Sequence, residues 1–312
     1  MSDSAERPGG HVRPGGHVVV DLDAPIPVPQ GVALVGTDLD GTLLSSALEV
    51  GPRSRAAIAE MGAAGVALVL VTGRPPRWMR PVIEQIGHAG IAVCANGALV
   101  VDLAHERLLR ATTIDPQLAA AFAERLRALV PGVSFALEQL TSGAREADSL
   151  DALSDVALEP GYDPIWTPPP DVRRGDILEL IARAEPVKVL AAVPDSVGHD
   201  SDSLVALAEA EFAGALHITH SGTRNVLIEV TAGHVDKGVA LLEVSALLGV
   251  DPAQTVAVGD MPNDVPMIRA AGTGYAVANA HPAARDAADH IIPSNNDDGV
   301  GRLIGAVLAD RA

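Results

Sequence analysis

The chain of 312 residues is 48% hydrophobic and 20% charged, and 40 acidic residues against 22 basic ones leave a formal net charge of -18. That is enough chain for one large domain or two ordinary ones, and enough apolar content for a core. The acidity argues against nucleic acid and anionic membranes as partners, since both bind mainly through Lys and Arg, and the single cysteine, Cys94, excludes an intramolecular disulfide and a cysteine-based metal cluster.

In chain order, residues 1–30 read as a flexible tail, because Arg7 to Val12 is repeated letter for letter as Arg13 to Val18 and three prolines follow. Such Gly-Pro content disfavours regular structure. From Val32 the texture changes. The pattern predicts a buried strand at 32–35, a helix at 52–64, a strand at 66–71, a helix at 79–86 and a strand at 91–94. Strand, helix, strand, helix, strand marks a parallel sheet with helices on its faces. An Asn96-Gly97 turn leads into a hairpin of 99–102 with 107–111. The middle block reads as an α+β insertion, with a helix at 116–130, a strand near Phe135, an acidic, proline-rich stretch at 146–170, a strand at 187–193, a helix at 203–213 and strands at 216–219 and 226–230. The parallel texture resumes with a helix at 237–248 and strands at 255–258 and 274–277. Apolar runs such as Val66 to Val71 fall far short of the roughly 20 residues of a membrane span, and the start lacks the apolar stretch of a signal peptide, so a cytoplasmic protein is expected.

Open parallel sheets bind ligands beyond the carboxyl ends of their strands. Asp38 and Asp40 follow the first strand, in Gly36-Thr37-Asp38-Leu39-Asp40-Gly41-Thr42; two carboxylates two apart can share a cation or divide nucleophilic and acid-base work. Asp21-Leu22-Asp23 has the same spacing but is followed by Ala-Pro, so Asp-x-Asp alone is a weak signal. Thr72-Gly73-Arg74 follows the second strand and suits an oxyanion through hydroxyl, bare backbone and guanidinium, although a helix cap is the alternative. Asn96 follows the third, as a turn residue or a polar contact into a cleft. The chain has only two lysines. Lys237 stands at a helix start, where it opposes the dipole, so a functional reason gains weight. Lys188 heads an apolar strand as a snorkelling residue or a ligand contact. Asp260, Asn263 and Asp264 follow a later strand, resembling a divalent-cation site of hard oxygen donors.

These parts permit phosphoryl transfer. Asp38 would attack phosphorus; Mg²⁺, held by Asp38, the Asp40 backbone carbonyl and Asp260, would offset the repulsion between two anions. Thr72 and Lys237 would hold phosphoryl oxygens, Asp40 would act as acid and then base, and Asn263 and Asp264 would orient the metal shell and the lysine. The set Asp38-Leu39-Asp40-Gly41-Thr42, Thr72-Gly73-Arg74, Lys237 and Gly259-Asp260-Met261-Pro262-Asn263-Asp264 resembles the four motifs of the haloacid dehalogenase (HAD) superfamily, and more narrowly its Cof-type branch, the IIB sugar-phosphatase-like hydrolases. Supporting matches are Val277-Ala278-Asn279-Ala280 and Ser294 to Val300; the departure is Pro262, where the family often has Gly.

The resemblance implies an α/β fold: a Rossmann-like, doubly wound parallel sheet with an inserted α+β cap of C2 type. The expected division is a core at 31–112 and 229–312 and a cap at 113–228. It implies a Mg²⁺-dependent phosphatase acting on a small phosphorylated metabolite, a sugar phosphate being one candidate, with Gly41, Thr42, Gly73, Arg74 and Asn96 as further phosphate or substrate contacts. Lys188, His217, His220 and Arg224 are cap candidates for the leaving group. A phosphomutase or phosphotransferase shares the motifs. A phospho-aspartate receiver combines similar residues, but Asp40-Gly41-Thr42 and the large insertion argue against it.

Overall fold

The computed structural model describes residues 11–12, 18–19, 24–164, 166–194, 198–222 and 226–311. The chain forms two compact units, one of residues 1–72, 80–92 and 237–312, the other of 73–79 and 93–236. The predicted insertion, 113–228, lies wholly within the second. No helix among the described residues is long and apolar enough to cross a membrane.

In the first unit the strands run in the order His290–Ile292, Thr273–Val277, Thr255–Gly259, Leu34–Thr37, Ala67–Val71, and every pair is parallel. Leu34–Thr37 is a central strand, paired in parallel on both sides, with all four residues buried, as expected of a strand covered on both faces. Helices Pro52–Met61, Arg80–Ile86, Lys237–Leu247, Val265–Ala270, Pro282–Ala287 and Gly299–Ala309 accompany the sheet. The doubly wound α/β core predicted from the strand and helix rhythm is therefore present.

The central strand sits two residues later than its apolar run predicted, because Gly36 and Thr37 belong to it. Gly36 makes room for a helix: a Cβ there would stand 2.9 Å from Cδ1 of Leu241. The helix beginning at Lys237 thus lies close against the strand that ends at Thr37. Gly238 has a similar reason, since its Cβ would come within 2.5 Å of the Pro266 carbonyl. Within the predicted tail, His11–Val12 pairs antiparallel with Val18–Val19, where Gly-Pro content had argued against regular structure; β-branched valine supplies the strand preference. Asp21 and Asp23 lie outside the described residues. Farther on, Pro27 accepts a hydrogen bond from the Tyr275 hydroxyl at 2.8 Å.

The second unit holds a six-stranded sheet in the order Arg173–Arg174, Ser154–Leu158, Ser134–Leu140, Pro186–Val193, Val226–Ala232, Leu216–Thr219. It is antiparallel except at the pairing of its first two strands. Phe135 on one face packs with Phe122 of the helix Pro116–Leu129, which in turn meets Phe212 of Ser201–Phe212. Asp115 and Asp200 cap those helices through side-chain oxygens. The predicted hairpin of Leu99–Asp102 with Arg107–Ala111 forms after the Asn96-Gly97 turn. By strand alternation Glu138, Lys188 and Glu229 share the face opposite Phe135, beside Ala136, Val156 and Leu158.

Candidate active site

Three adjacent parallel strands each end one residue before a chemically active side chain. Leu34–Thr37 delivers Asp38, Ala67–Val71 delivers Thr72, and Thr255–Gly259 delivers Asp260. All three are buried, at 5%, 1% and 6% relative exposure. Lys237, at the head of its helix, is 1% exposed and donates to Oδ1 of Asp38 and Oδ1 of Asp264, both at 2.6 Å. Burial alone would lower the lysine pKa, but the two carboxylates outweigh it and hold the ammonium above its ordinary value. A cation misplaced at a helix N-terminus is explained by these two partners.

Asp264 is an organiser. Its Oδ2 accepts the backbone N–H groups of Asp260 and Met261 at 2.8 and 2.9 Å, while its Oδ1 takes Lys237. This carboxylate lies directly over Gly259, where a Cβ would come within 2.4 Å of the Asp264 Cβ; a larger residue there would displace it. Thr42 donates to Oδ1 of Asp260 at 2.8 Å. Gly41 is required twice over: its φ is +82°, and a Cβ would approach Oδ2 of Asp260 to 2.4 Å. Asp40 is exposed on this turn, and Asn263 is buried in the short helix Pro262–Asp264, where Pro262 occupies an N-terminal position that tolerates it.

The electrostatics are unbalanced. Asp38, Asp260 and Asp264 place carboxylate oxygens within 4.8 Å of one another, facing a single ammonium. Burial, with the charges of Asp264 and Asp260, holds Asp38 well above the usual carboxylate range despite Lys237. Burial and Asp264 push Asp260 up to about 7 against the opposing pull of Thr42 and Lys237. The hydrogen bonds to Asp38 and Asp260 use Oδ1 in each case. Two hard anionic donors, Oδ2 of Asp38 and Oδ2 of Asp260, therefore suit a divalent cation, while both oxygens of Asp264 are committed to orienting the loop and the lysine.

The remaining predicted residues lie in the second unit. Lys188 is buried and committed, donating to Glu229 at 2.5 Å and to the Gly73 carbonyl at 2.9 Å. Asn96, in a left-handed turn at φ +56° after Ala95 at +50°, donates to Glu229 at 3.0 Å. The turn predicted at Asn96 occurs, and its side chain is engaged with Glu229. Arg74 accepts the Ala95 N–H through its carbonyl. His220 is buried, with Asp202 3.0 Å from Nε2, and His217 lies half-buried, its pKa lowered by burial. Arg224 lies outside the described residues. Sequence reasoning did not single out Glu229 or the bidentate pair of Arg77 with Glu138; two buried acids on one sheet face with a lysine between their strands were the available signal.

Known proteins resemble this chain over most of its length. Residues 35–304 match the family model of haloacid dehalogenase-like hydrolases. The chain belongs to that family. A relative in Bacillus subtilis, 5-amino-6-(5-phospho-D-ribitylamino)uracil phosphatase YcsE, is 27% identical over 277 residues, which span 88% of this chain and 94% of that protein. A phosphoglycolate phosphatase of Natronomonas pharaonis is 30% identical over 270 residues, 86% of this chain and 94% of that protein. The solved HAD subclass IIB sugar phosphatase BT4131 shares the fold, with a TM-score of 0.67 at 17% identity, covering 87% of this chain and 97% of that one. The family and these relatives make the chain a phosphoric monoester hydrolase.

Proposed function

We propose that this hydrolase cleaves a small phosphorylated metabolite in two steps through an aspartyl-phosphate on Asp38. The observation that carries the reading is the buried chain Asp38–Lys237–Asp264 beside Asp260, all at the carboxyl ends of one parallel sheet. Lys237 orients Asp38 through Oδ1, the oxygen that would attack phosphorus, and leaves Oδ2 for the cation. The phosphorus–oxygen bond to the alcohol breaks as the bond to Asp38 forms, and Asp40, exposed on its turn, gives the leaving oxygen a proton. Asp40 then takes a proton from the water that attacks the aspartyl-phosphate, which frees phosphate and regenerates Asp38. Thr72 and Lys237 supply hydrogen-bond donors for phosphoryl oxygens as charge redistributes.

Asp38, Asp260 and the backbone carbonyl of Asp40 would hold a divalent cation, for which we propose Mg²⁺. When bound, it neutralises the excess of carboxylate and the charge of the phosphate. Asn263 and Asp264 keep those ligands and Lys237 in orientation.

Residues 113–228, which lie within the second unit, would act as the substrate-selecting cap between core segments 31–112 and 229–312. The named relatives act on different phosphate esters, a ribitylaminouracil and phosphoglycolate, which supports a small metabolite as the class. Among the cap candidates within the described residues His217 remains the proposed leaving-group contact, since Lys188 is committed to Glu229 and Gly73, and His220 to Asp202 and Gly222. The test is hydrolysis of p-nitrophenyl phosphate with and without Mg²⁺ by the parent and Asp38→Asn chains. Loss of turnover in Asp38→Asn is expected, and undiminished metal-dependent turnover would overturn the assignment.

A further inference from the structure

The turn from Asp40 to Leu44 is gripped from outside by two asparagines of the first unit. Asn279 Nδ2 donates to the Gly41 carbonyl at 2.8 Å, Asn279 Oδ1 accepts the Asn295 N–H at 3.0 Å, and Asn295 Nδ2 donates to the Leu44 carbonyl at 2.9 Å. Two residues beyond Asn279, the His281 N–H donates to the Asp260 carbonyl at 2.7 Å. One loop therefore holds the backbone of both acid-bearing segments. On the inner side of the same turn, Thr42 and the bare face of Gly41 meet the Asp260 carboxylate. The Gly41–Thr42 peptide is pinned at both ends, its carbonyl by Asn279 and its N–H by the Leu39 carbonyl at 3.3 Å.

The residue type matters. A short carboxamide offers a donor and an acceptor at once, which the arrangement uses at Gly41 and Asn295. Aspartate in its place would keep the acceptor, lose the donor and add a negative charge beside an acid-rich cluster. Alanine would lose both bonds.

We propose that Asn279, backed by Asn295, is a positioning residue for phosphoryl transfer, fixing the Asp40–Leu44 turn against the Asp260 loop so that Asp40 and Asp38 keep their register. The proposal rests on the roles assigned above to those two acids. Outer residues of this kind change activity by about 10- to 100-fold when removed.

The test uses the full chain carrying Asn279→Ala, Asn279→Asp or Asn295→Ala. Amide hydrogen exchange over residues 40–46 is compared with that of the helix 52–61, and kcat, KM and calorimetric Mg²⁺ affinity are measured well below the melting temperature. Asn279→Ala is expected to raise exchange in the turn about fivefold, as befits one lost hydrogen bond, leaving the helix unchanged. Its kcat should fall at least about tenfold with KM within about threefold, and Mg²⁺ should bind about tenfold more weakly. Asn279→Asp should lose more, Asn295→Ala less. An active parent with Asn279→Ala at parental kcat or parental turn exchange overturns the clamp alone; an inactive parent overturns the functional reading on which it rests.

Discussion

Replacing Lys237 by Met removes the single cation from a cluster of three buried carboxylates while keeping the length of an unbranched side chain. Two bonds of 2.6 Å are lost, to Asp38 and Asp264, from an ammonium that is 1% exposed. Breaking a buried ion pair by deleting one partner costs about 3–5 kcal/mol, because the other partner keeps its desolvation penalty without compensation. At roughly 2–4 °C per kcal/mol for proteins of 150–250 residues, the first unit should melt about 10 °C lower. Calorimetry in EDTA is the assay, since a bound cation would mask part of the loss by mass action. Asp264→Asn should also destabilise, and the double variant should lose less than the sum by about 0.5–3 kcal/mol, as expected for groups in one network. A Lys237→Met chain that melts within about 2 °C of the parent, or strictly additive losses, would refute the reasoning.

Three further outcomes follow from the geometry. Gly41→Ala should destabilise by at least about 1–2 kcal/mol, the cost of a left-handed non-glycine residue, and should abolish turnover because its Cβ would meet Oδ2 of Asp260 at 2.4 Å; parental kcat with parental melting would contradict this. Burial pushes the Cys94 thiol up to about 12, with Glu138 adding and Lys188 opposing, so Ellman's reagent at pH 8 should label the native chain at least about 100-fold more slowly than the guanidinium-unfolded chain, and comparable rates would overturn it. Burial lowers the His217 pKa against the opposing charges of Asp236 and Glu209, so the unfolded chain protonates first as pH falls and the contribution to stability, intact above roughly pH 6.5, is lost below it. His217→Asn should therefore flatten the fall in melting temperature between about pH 6.5 and 5, and an unchanged slope would exclude the residue as its source.

The candidate site residues were legible because chain order and spatial order coincide where a parallel strand ends. Asp38, Thr72 and Asp260 each stand one step past an apolar run, and a period of two or a short buried run is readable without knowing its neighbours. What the sequence hid was glycine used for packing. Gly299, Gly301 and Gly305 argue against a helix, yet they lie in Gly299–Ala309, and Gly301 leaves space for the backbone of Ser54 of the opposing helix, only 2.4 Å from where its Cβ would be. Gly36 looks like the start of a loop for the same reason. The strand Ser154–Leu158 lay inside a stretch read as irregular, because its order comes from pairing with Ser134–Leu140, and that partner is not visible from local composition. Asn279 and Asn295 appeared only as pieces of matching motifs; their hydrogen bonds to Gly41 and Leu44 span 238 and 251 residues of chain.

The charge of the chain then bears on how it handles an anionic ester. A formal net charge of -18 would oppose the approach of any phosphate if the whole surface decided the matter. Within the site the sign is also unfavourable, since Asp38, Asp260 and Asp264 outnumber Lys237. On the function proposed above, that local excess would draw a divalent cation, and the cation with Lys237 would meet a single phosphoryl group at short range, where low dielectric magnifies the interaction. Raising ionic strength should therefore change kcat/KM for a small monoester less than it would for a protein that recruits phosphate through a basic surface.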